Sequence, residues 1–141
     1  MAGSTWGGPI KVGDKAGGTT KNVGTVVVTQ TARLVADGEN PVSATMYLPK
    51  KAVLIDVVWD ILTAFDSATS ATGTLGYTAG GTEYASGANL KTGIRVRPTF
   101  TRPQLNAMAT PGAATPIVAT ATPTGATTAG EVQVTLQYTM A

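Results

Sequence analysis

Apolar and polar residues alternate with a period of two along several stretches of this chain, and that period is typical of half-buried β-strands. Residues 26–35 and 42–48 both show it, and their β-branched side chains favour the same structure. The sequence Asp37-Gly38-Glu39-Asn40-Pro41 between them is rich in turn-forming residues. We therefore expect two strands that form a hairpin.

Residues 52–63 predict a longer strand rather than a helix, because β-branched residues dominate and both aspartates fall together on the face opposite Trp59. The period of two places one apolar set on a single face: Val53, Ile55, Val57, Trp59 and Ile61. Asp56 and Asp60 fall on the opposite face together with three further apolar residues, so this strand is expected to be covered on both sides for part of its length. Trp59 is expected in the core.

Further strands are expected at residues 72–78, 94–101, 117–120 and 131–140. Prolines flank the stretch 117–120, which predicts an edge strand. Residues 101–108 predict a single helical turn, with Thr101 as its cap and Pro103 in the first turn. Seven or eight short strands without a long helix indicate an all-β fold, a single β-sandwich of jelly-roll type.

The first 24 residues differ from the rest, since they contain seven glycines and little apolar periodicity. They predict an extended glycine-rich N-terminal arm with Trp6 and Ile10 as its large anchors, or else a frayed terminus. The expected domains are therefore an arm at 1–24 and a sandwich at 25–141. The start of the chain lacks the basic and apolar regions of a signal peptide, so synthesis in the cytoplasm without export is expected.

Composition narrows the possible functions. The chain contains no cysteine and no histidine, which removes thiolate metal sites, disulfides and the commonest general base. Charged residues make up 13 %, with a net charge of +2, and this balance is too small for an electrostatic nucleic-acid binder. The longest apolar run, near residues 52–65, is interrupted by two aspartates and is too short for a membrane span. Neither nucleic acid nor membrane is expected as a partner.

The residues that could form a catalytic, calcium or phosphate site do not have the spacing that such a site requires. On one strand, Asp56 and Asp60 would lie roughly 13 Å apart, farther than the roughly 5–9.5 Å between the two carboxylates of a glycosidase. Asp66, Ser67 and Glu83 could offer oxygen ligands to calcium, but no calcium-loop spacing is present. The glycine-rich segments contain no phosphate-binding motif. The sequence predicts no catalytic residue, cofactor or metal, and the protein is not expected to be an enzyme.

One basic and aromatic cluster is formed by Arg95, Arg97 and Arg102, with Phe100 between them. Arg95 and Arg97 share a strand face, so they could form an ion-pairing stripe for an acidic neighbour. The alternative is an ordinary solvated strand face.

Six segments carry a resemblance to small virion proteins of tailed bacteriophages: VSATMYLP (42–49), IDVVWD (55–60), TAFD (63–66), TLGY (74–77), YASGANL (84–90) and VQVTLQY (132–138). In size and strand content the chain resembles most the capsid decoration, or cement, proteins. That resemblance implies a homotrimer that binds the major capsid protein on the outside of the head. Capsid or subunit contacts are then expected at Trp6, Ile10, Arg95, Arg97 and Arg102.

Two other functions remain open. A structural protein of the phage tail or head-tail junction would be built from the same kind of sequence. A carbohydrate-binding β-sandwich module would use exposed aromatic residues, with Tyr77 and Tyr84 as the candidates.

Overall fold

The computed structural model describes residues 26–110 and 115–140, together with the backbone of four two-residue strands that precede them. Those four are β1 (Lys11–Val12), β2 (Lys15–Ala16), β3 (Thr20–Lys21) and β4 (Gly24–Thr25). The main elements follow as β5 (Val28–Val35), β6 (Val42–Leu48), β7 (Ala52–Thr63), β8 (Ser70–Gly76), β9 (Ala85–Asn89), β10 (Arg95–Val96), α1 (Arg102–Ala109), β11 (Thr115–Thr124) and β12 (Glu131–Met140).

Eight strands form two antiparallel four-stranded sheets. Sheet 1 has the order β10-β7-β12-β5, and sheet 2 has the order β6-β11-β8-β9. The first strand of the eight pairs with the last, the second with the seventh, the third with the sixth and the fourth with the fifth. This nested pairing is the topology of an eight-stranded jelly roll. The prediction of an all-β sandwich is confirmed.

The core lies between the two sheets. Trp59 is fully buried there, as the sequence predicts, and packs among the inward residues of both sheets, including Leu75, Ile117 and Leu136. Gly73 of β8 lies directly opposite the indole ring, where a side chain would collide with it. The close approach of the two sheets at this point therefore depends on a glycine.

The alternation in β7 changes phase at a β-bulge. Asp56 pairs with Gln137 of β12, whereas the next partner, Tyr138, pairs with Leu54, so Ile55 is an extra residue. As a result Leu54 is buried (2 % exposed) and Ile55 is exposed (45 %). The prediction that Val53 and Ile55 share the core face with Trp59 is wrong, because a bulge reverses the inward and outward positions on one side of it.

β11 is a central strand of sheet 2 and not the edge strand predicted from its prolines. The two partners of β11 are staggered: β6 pairs with residues 115–121 and β8 with residues 118–124. Pro116 therefore has a neighbouring strand only on the β6 side, and Pro123 only on the β8 side. Each proline lies where one side of the strand is unpaired, so a missing N–H can be accommodated there.

β5 and β6 do not form the predicted hairpin. β5 pairs with β12 in sheet 1, and β6 pairs with β11 in sheet 2, so the chain crosses from one sheet to the other through the turn between them. Strands that are consecutive in sequence and joined by a short turn can pair or can lie in facing sheets, and the turn residues alone do not distinguish these outcomes.

The helix and two short strands complete the sandwich. α1 begins at the predicted cap, where Thr101 and Gln104 form a reciprocal capping box. β10 contains only two residues of the predicted strand 94–101, and β9 lies between the predicted strands 72–78 and 94–101, where the sequence predicts no strand.

Within the predicted arm, the four short strands pair with one another. Lys11 is opposite Thr25 and Lys15 is opposite Lys21, so both pairs fit the register of a single hairpin. The division of the chain into an arm and a sandwich at residue 24 stays a prediction.

Candidate functional site

Two of the predicted contact residues lie on the outer face of sheet 1. Arg95 in β10 is opposite Asp60 in β7, and its Nε donates to Asp60 Oδ1 at 2.5 Å. Arg97 lies near Asp56, with 3.6 Å between Nη1 and Oδ2. Asp56 and Asp60 share the outer face of β7, as the sequence predicts, and Val58 lies between them. The arginines thus find their acidic partners within this chain.

The electrostatics of these pairs are those of a protein surface. The Asp60 carboxylate raises the pKa of Arg95, since it favours the charged guanidinium. Both arginine side chains remain more than half exposed, at 66 % and 63 %. Solvent-exposed pairs of this kind contribute little to stability, so their removal should leave the sandwich folded.

The remaining predicted contacts are not in this cluster. Arg102 is exposed in the first turn of α1 and forms no salt bridge with any residue in the part of the chain that the structure describes. Trp6 and Ile10 lie outside the described residues. The structure therefore brings Arg95 and Arg97 together with two aspartates, and it leaves Arg102 as a separate cation.

A polar clamp that the sequence did not reveal joins two loops at one end of the sandwich. The Asp66 carboxylate accepts hydrogen bonds from the backbone N–H groups of Thr128 and Ala129 and from the Thr128 hydroxyl. These bonds, the hydroxyl first among them, lower the pKa of Asp66 to about 2. Beneath the clamp, the buried hydroxyl of Thr127 donates to Ser67 Oγ. Asp66 and Ser67, two of the three candidate calcium ligands, thus accept hydrogen bonds from within the protein.

A second polar cluster lies on the outer face of sheet 2. The loop between β8 and β9 folds back over this face, where the Gly80 N–H donates to Thr120 Oγ1 at 2.9 Å. The same hydroxyl is 3.0 Å from Ser43 Oγ. Thr120 is consequently buried although its side chain points away from the core. No local pattern in the sequence indicates this loop contact.

The aromatic residues proposed for sugar binding do not form a flat platform. Tyr84 is 4 % exposed and meets Tyr77 edge to face, with 5.3 Å between ring centroids. Burial raises the pKa of the Tyr84 phenol, and the neighbouring Tyr77 adds to this effect. The Tyr84 ring therefore belongs to the packing of the loop.

Neither a metal centre nor a membrane helix emerges from residues 26–110 and 115–140 or the short strands before them. No three carboxylates come together there, and no helix is long and apolar enough to cross a membrane.

Comparison with known proteins gives a fold and no family. No protein-family model matches the chain, and no curated protein matches it significantly. Among solved structures, the chain is similar to a chain of the "Cyanophage Pam1 capsid asymmetric unit", with a TM-score of 0.60 and 19 % sequence identity. The likeness covers 100 % of this chain and 92 % of that chain. At this identity it establishes a shared fold, and it shows that the two chains have similar lengths.

Proposed function

We propose that this protein is a non-catalytic structural component of a bacteriophage virion, a decoration or cement protein that binds the outside of the head. It would attach to the major capsid protein as a homotrimer after synthesis in the host cytoplasm. The single observation that carries the proposal is the full-length likeness to a chain of similar length in a phage capsid asymmetric unit.

The place of that similar chain in a capsid indicates how many copies of such a protein a virion contains. A chain that belongs to the asymmetric unit of a capsid is repeated by the symmetry of the shell. A component of the tail or of the head-tail junction is present in far fewer copies. The likeness therefore favours a protein of the shell over the junction alternative.

The surface of the sandwich suits permanent packing against a shell. Residues 26–140 contain seven Lys or Arg and seven Asp or Glu, so the sandwich itself has no net charge. On the outer face of sheet 1, Thr29 and Thr31 of β5 are exposed, and the outward residues Gln133, Thr135 and Gln137 of β12 are half-buried. Such a surface can be buried with little desolvation of charge.

The first experiment is the copy number of the protein in purified virions, measured by quantitative mass spectrometry against the major capsid protein. A decoration protein should be present in hundreds of copies in a head of ordinary size, and its native mass in solution should be that of a trimer. A copy number of about a dozen or fewer would contradict the decoration role and support the junction. Absence from the particle would contradict a virion protein altogether.

The contact residues can be tested by binding of arginine variants to heads that lack the protein. Arg102→Gln removes a cation that has no partner among the described residues, whereas Arg95→Gln removes one that already pairs with Asp60. If the shell offers carboxylates, Arg102→Gln should weaken binding more than Arg95→Gln does. If both variants bind with the same affinity as the unchanged protein, Arg95 and Arg102 do not contribute to the interface.

A further inference from the structure

The loops of the sandwich gather at two opposite ends, because the strands of both sheets are antiparallel and run along its length. Backbone hydrogen bonds join four loops at one end: 36–41, 64–69, 90–94 and 125–130. The other end is formed by the loops 49–51 and 77–84 and by α1. There the Gln104 amide of α1 donates to the Thr82 carbonyl, which fixes the helix against the second of these loops.

The two ends differ in charge. The first end carries three carboxylates and one lysine: Asp37, Glu39, Asp66 and Lys91. The second end carries three cations and one carboxylate: Lys50, Lys51, Arg102 and Glu83. The other six charged side chains of residues 26–140 pair with one another in three salt bridges. The sandwich is neutral as a whole, but it has an acidic end with a net charge of −2 and a basic end with a net charge of +2.

The sign of the basic end does not depend on which side chains form pairs, since a net charge is a sum over all of them. Residues 111–114, which precede β11, contain no charged side chain. Residues 1–25, which precede β5, contain three lysines and one aspartate. Neither segment can therefore reverse the positive sign of the basic end.

Lys51 occupies a strained position in the turn between β6 and β7, at the basic end. Its φ angle is 68°, and among the described residues it is the one residue other than glycine with a positive φ. The Ala52 N–H donates to the Pro49 carbonyl, so Lys51 is the third residue of a four-residue turn. Glycine is the usual residue at that position when φ is positive. Because strained residues cluster at functional sites, the exposed lysine in this turn points to a function for its charge.

The basic end also exposes large apolar side chains. Tyr47, near the end of β6, is 62 % exposed, and Tyr77, directly after β8, is 41 % exposed. Leu105 of α1 is 50 % exposed. Protein interfaces are enriched in tyrosine and arginine and combine apolar side chains with a few charges. The composition of the basic end is therefore that of a surface that binds another protein.

We propose that the basic end is the docking surface of this protein and that its partner is an acidic protein surface on the outside of the phage head. The proposal rests on the proposed virion function, since it names the side of the sandwich that contacts the shell. The acidic end then points away from the shell. Nucleic acid fits this end less well, because duplex DNA carries one charge per about 1.7 Å and the basic end offers three cations beside a carboxylate.

The experiment compares the binding of two charge-reversal variants to purified heads that lack the protein. Lys51→Glu and Lys91→Glu change the net charge of the chain equally, but at opposite ends of the sandwich. At low ionic strength Lys51→Glu should weaken binding by roughly tenfold or more, and the difference should shrink as salt is added. Lys91→Glu should change the affinity much less. Both side chains are exposed, so urea denaturation should show that both variants are folded.

A third variant separates docking from folding. Lys51→Gly removes the cation and places at a positive φ the residue that adopts it most readily. The relief of strain offsets the greater conformational freedom of glycine in the unfolded chain. The variant should therefore unfold at no lower urea concentration than the unchanged protein, and it should still bind heads more weakly.

Three results would overturn the proposal. If the unchanged protein binds heads and Lys51→Glu binds no more weakly than Lys91→Glu, the virion function stands and the basic end is not the docking surface. If the unchanged protein does not bind heads, the virion function and the docking surface are both wrong. Tight binding of a short duplex DNA that is weakened by Lys51→Glu and not by Lys91→Glu would assign the basic end to nucleic acid.

Discussion

Replacement of Gly73 by alanine tests the closest contact between the two sheets. Gly73 lies in β8, and a Cβ atom on it would be 2.7 Å from Cζ3 and 2.8 Å from Cη2 of Trp59. Carbon atoms in good contact are about 3.5–4.0 Å apart, so the indole ring or the sheet would have to move by about 1 Å. Trp59 is completely buried, so its ring cannot turn out into solvent to relieve the collision.

The size of the effect follows from two opposing terms. Overpacking of a well-filled core costs about 1–3 kcal/mol. Alanine also reduces the conformational entropy of the unfolded chain relative to glycine, which stabilises the folded state by about 0.4–1 kcal/mol. We expect Gly73→Ala to lower the free energy of unfolding by about 1–2 kcal/mol, with a melting temperature lower by roughly 2–4 °C for each kcal/mol.

The assay is urea denaturation followed by circular dichroism, in a double-mutant cycle with Trp59→Phe. Phenylalanine lacks the outer part of the indole ring that the new methyl group would meet. In that background Gly73→Ala should cost little or should stabilise the protein. If Gly73→Ala lowers the free energy of unfolding equally with and without the Trp59→Phe substitution, or does not lower it when Trp59 is present, the contact with Trp59 is not the cause.

Three further changes probe the polar contacts. Asp66 has a folded pKa of about 2 against an ordinary value of 3.8, so its stabilising effect is complete above about pH 4 and is lost as the pH falls towards 2. In the Asp66→Asn variant the free energy of unfolding should therefore change less with pH on the acid side, as measured by denaturation between pH 2 and 6. The control Glu39→Gln should leave that pH dependence unchanged. Thr120→Val leaves the Gly80 N–H without its acceptor and should cost about 1–3 kcal/mol in urea denaturation, whereas Thr122→Val on the same strand face should cost much less. Gln104→Leu removes the side-chain half of the capping box together with a bond to the Thr82 carbonyl; a loss of about 1–3 kcal/mol is expected, and an unchanged melting curve would contradict a stabilising role for this buried amide.

Strand existence could be predicted from the sequence, and strand pairing could not. The alternation in β5, β6, β7 and β12 is a local signal, because burial on one face of a sheet imposes a period of two on each strand by itself. The partner of a strand is set by residues far away: β5 pairs with β12 at the other end of the chain. The turn residues after β5 therefore predicted a hairpin, although this turn connects a strand of sheet 1 to a strand of sheet 2.

The bulge in β7 and the prolines of β11 show a second limit. Ile55 is extra only relative to β12, and nothing within β7 reveals it. Pro116 and Pro123 are tolerated in a central strand because β6 and β8 are staggered along it. A proline indicates that the strand lacks a neighbour on one side at that residue. It does not indicate that the whole strand lies at the edge of the sheet.

The candidate surface was only partly predictable for the same reason. The basic cluster at Arg95 and Arg97 was visible in the sequence, but its carboxylate partners come from β7, and the pairing leaves these two cations largely neutralised. Since residues 26–140 balance their charges, the net charge of +2 lies within residues 1–25. The excess positive charge of the chain therefore lies in that segment, and Arg102 is a separate, local cation on the neutral sandwich.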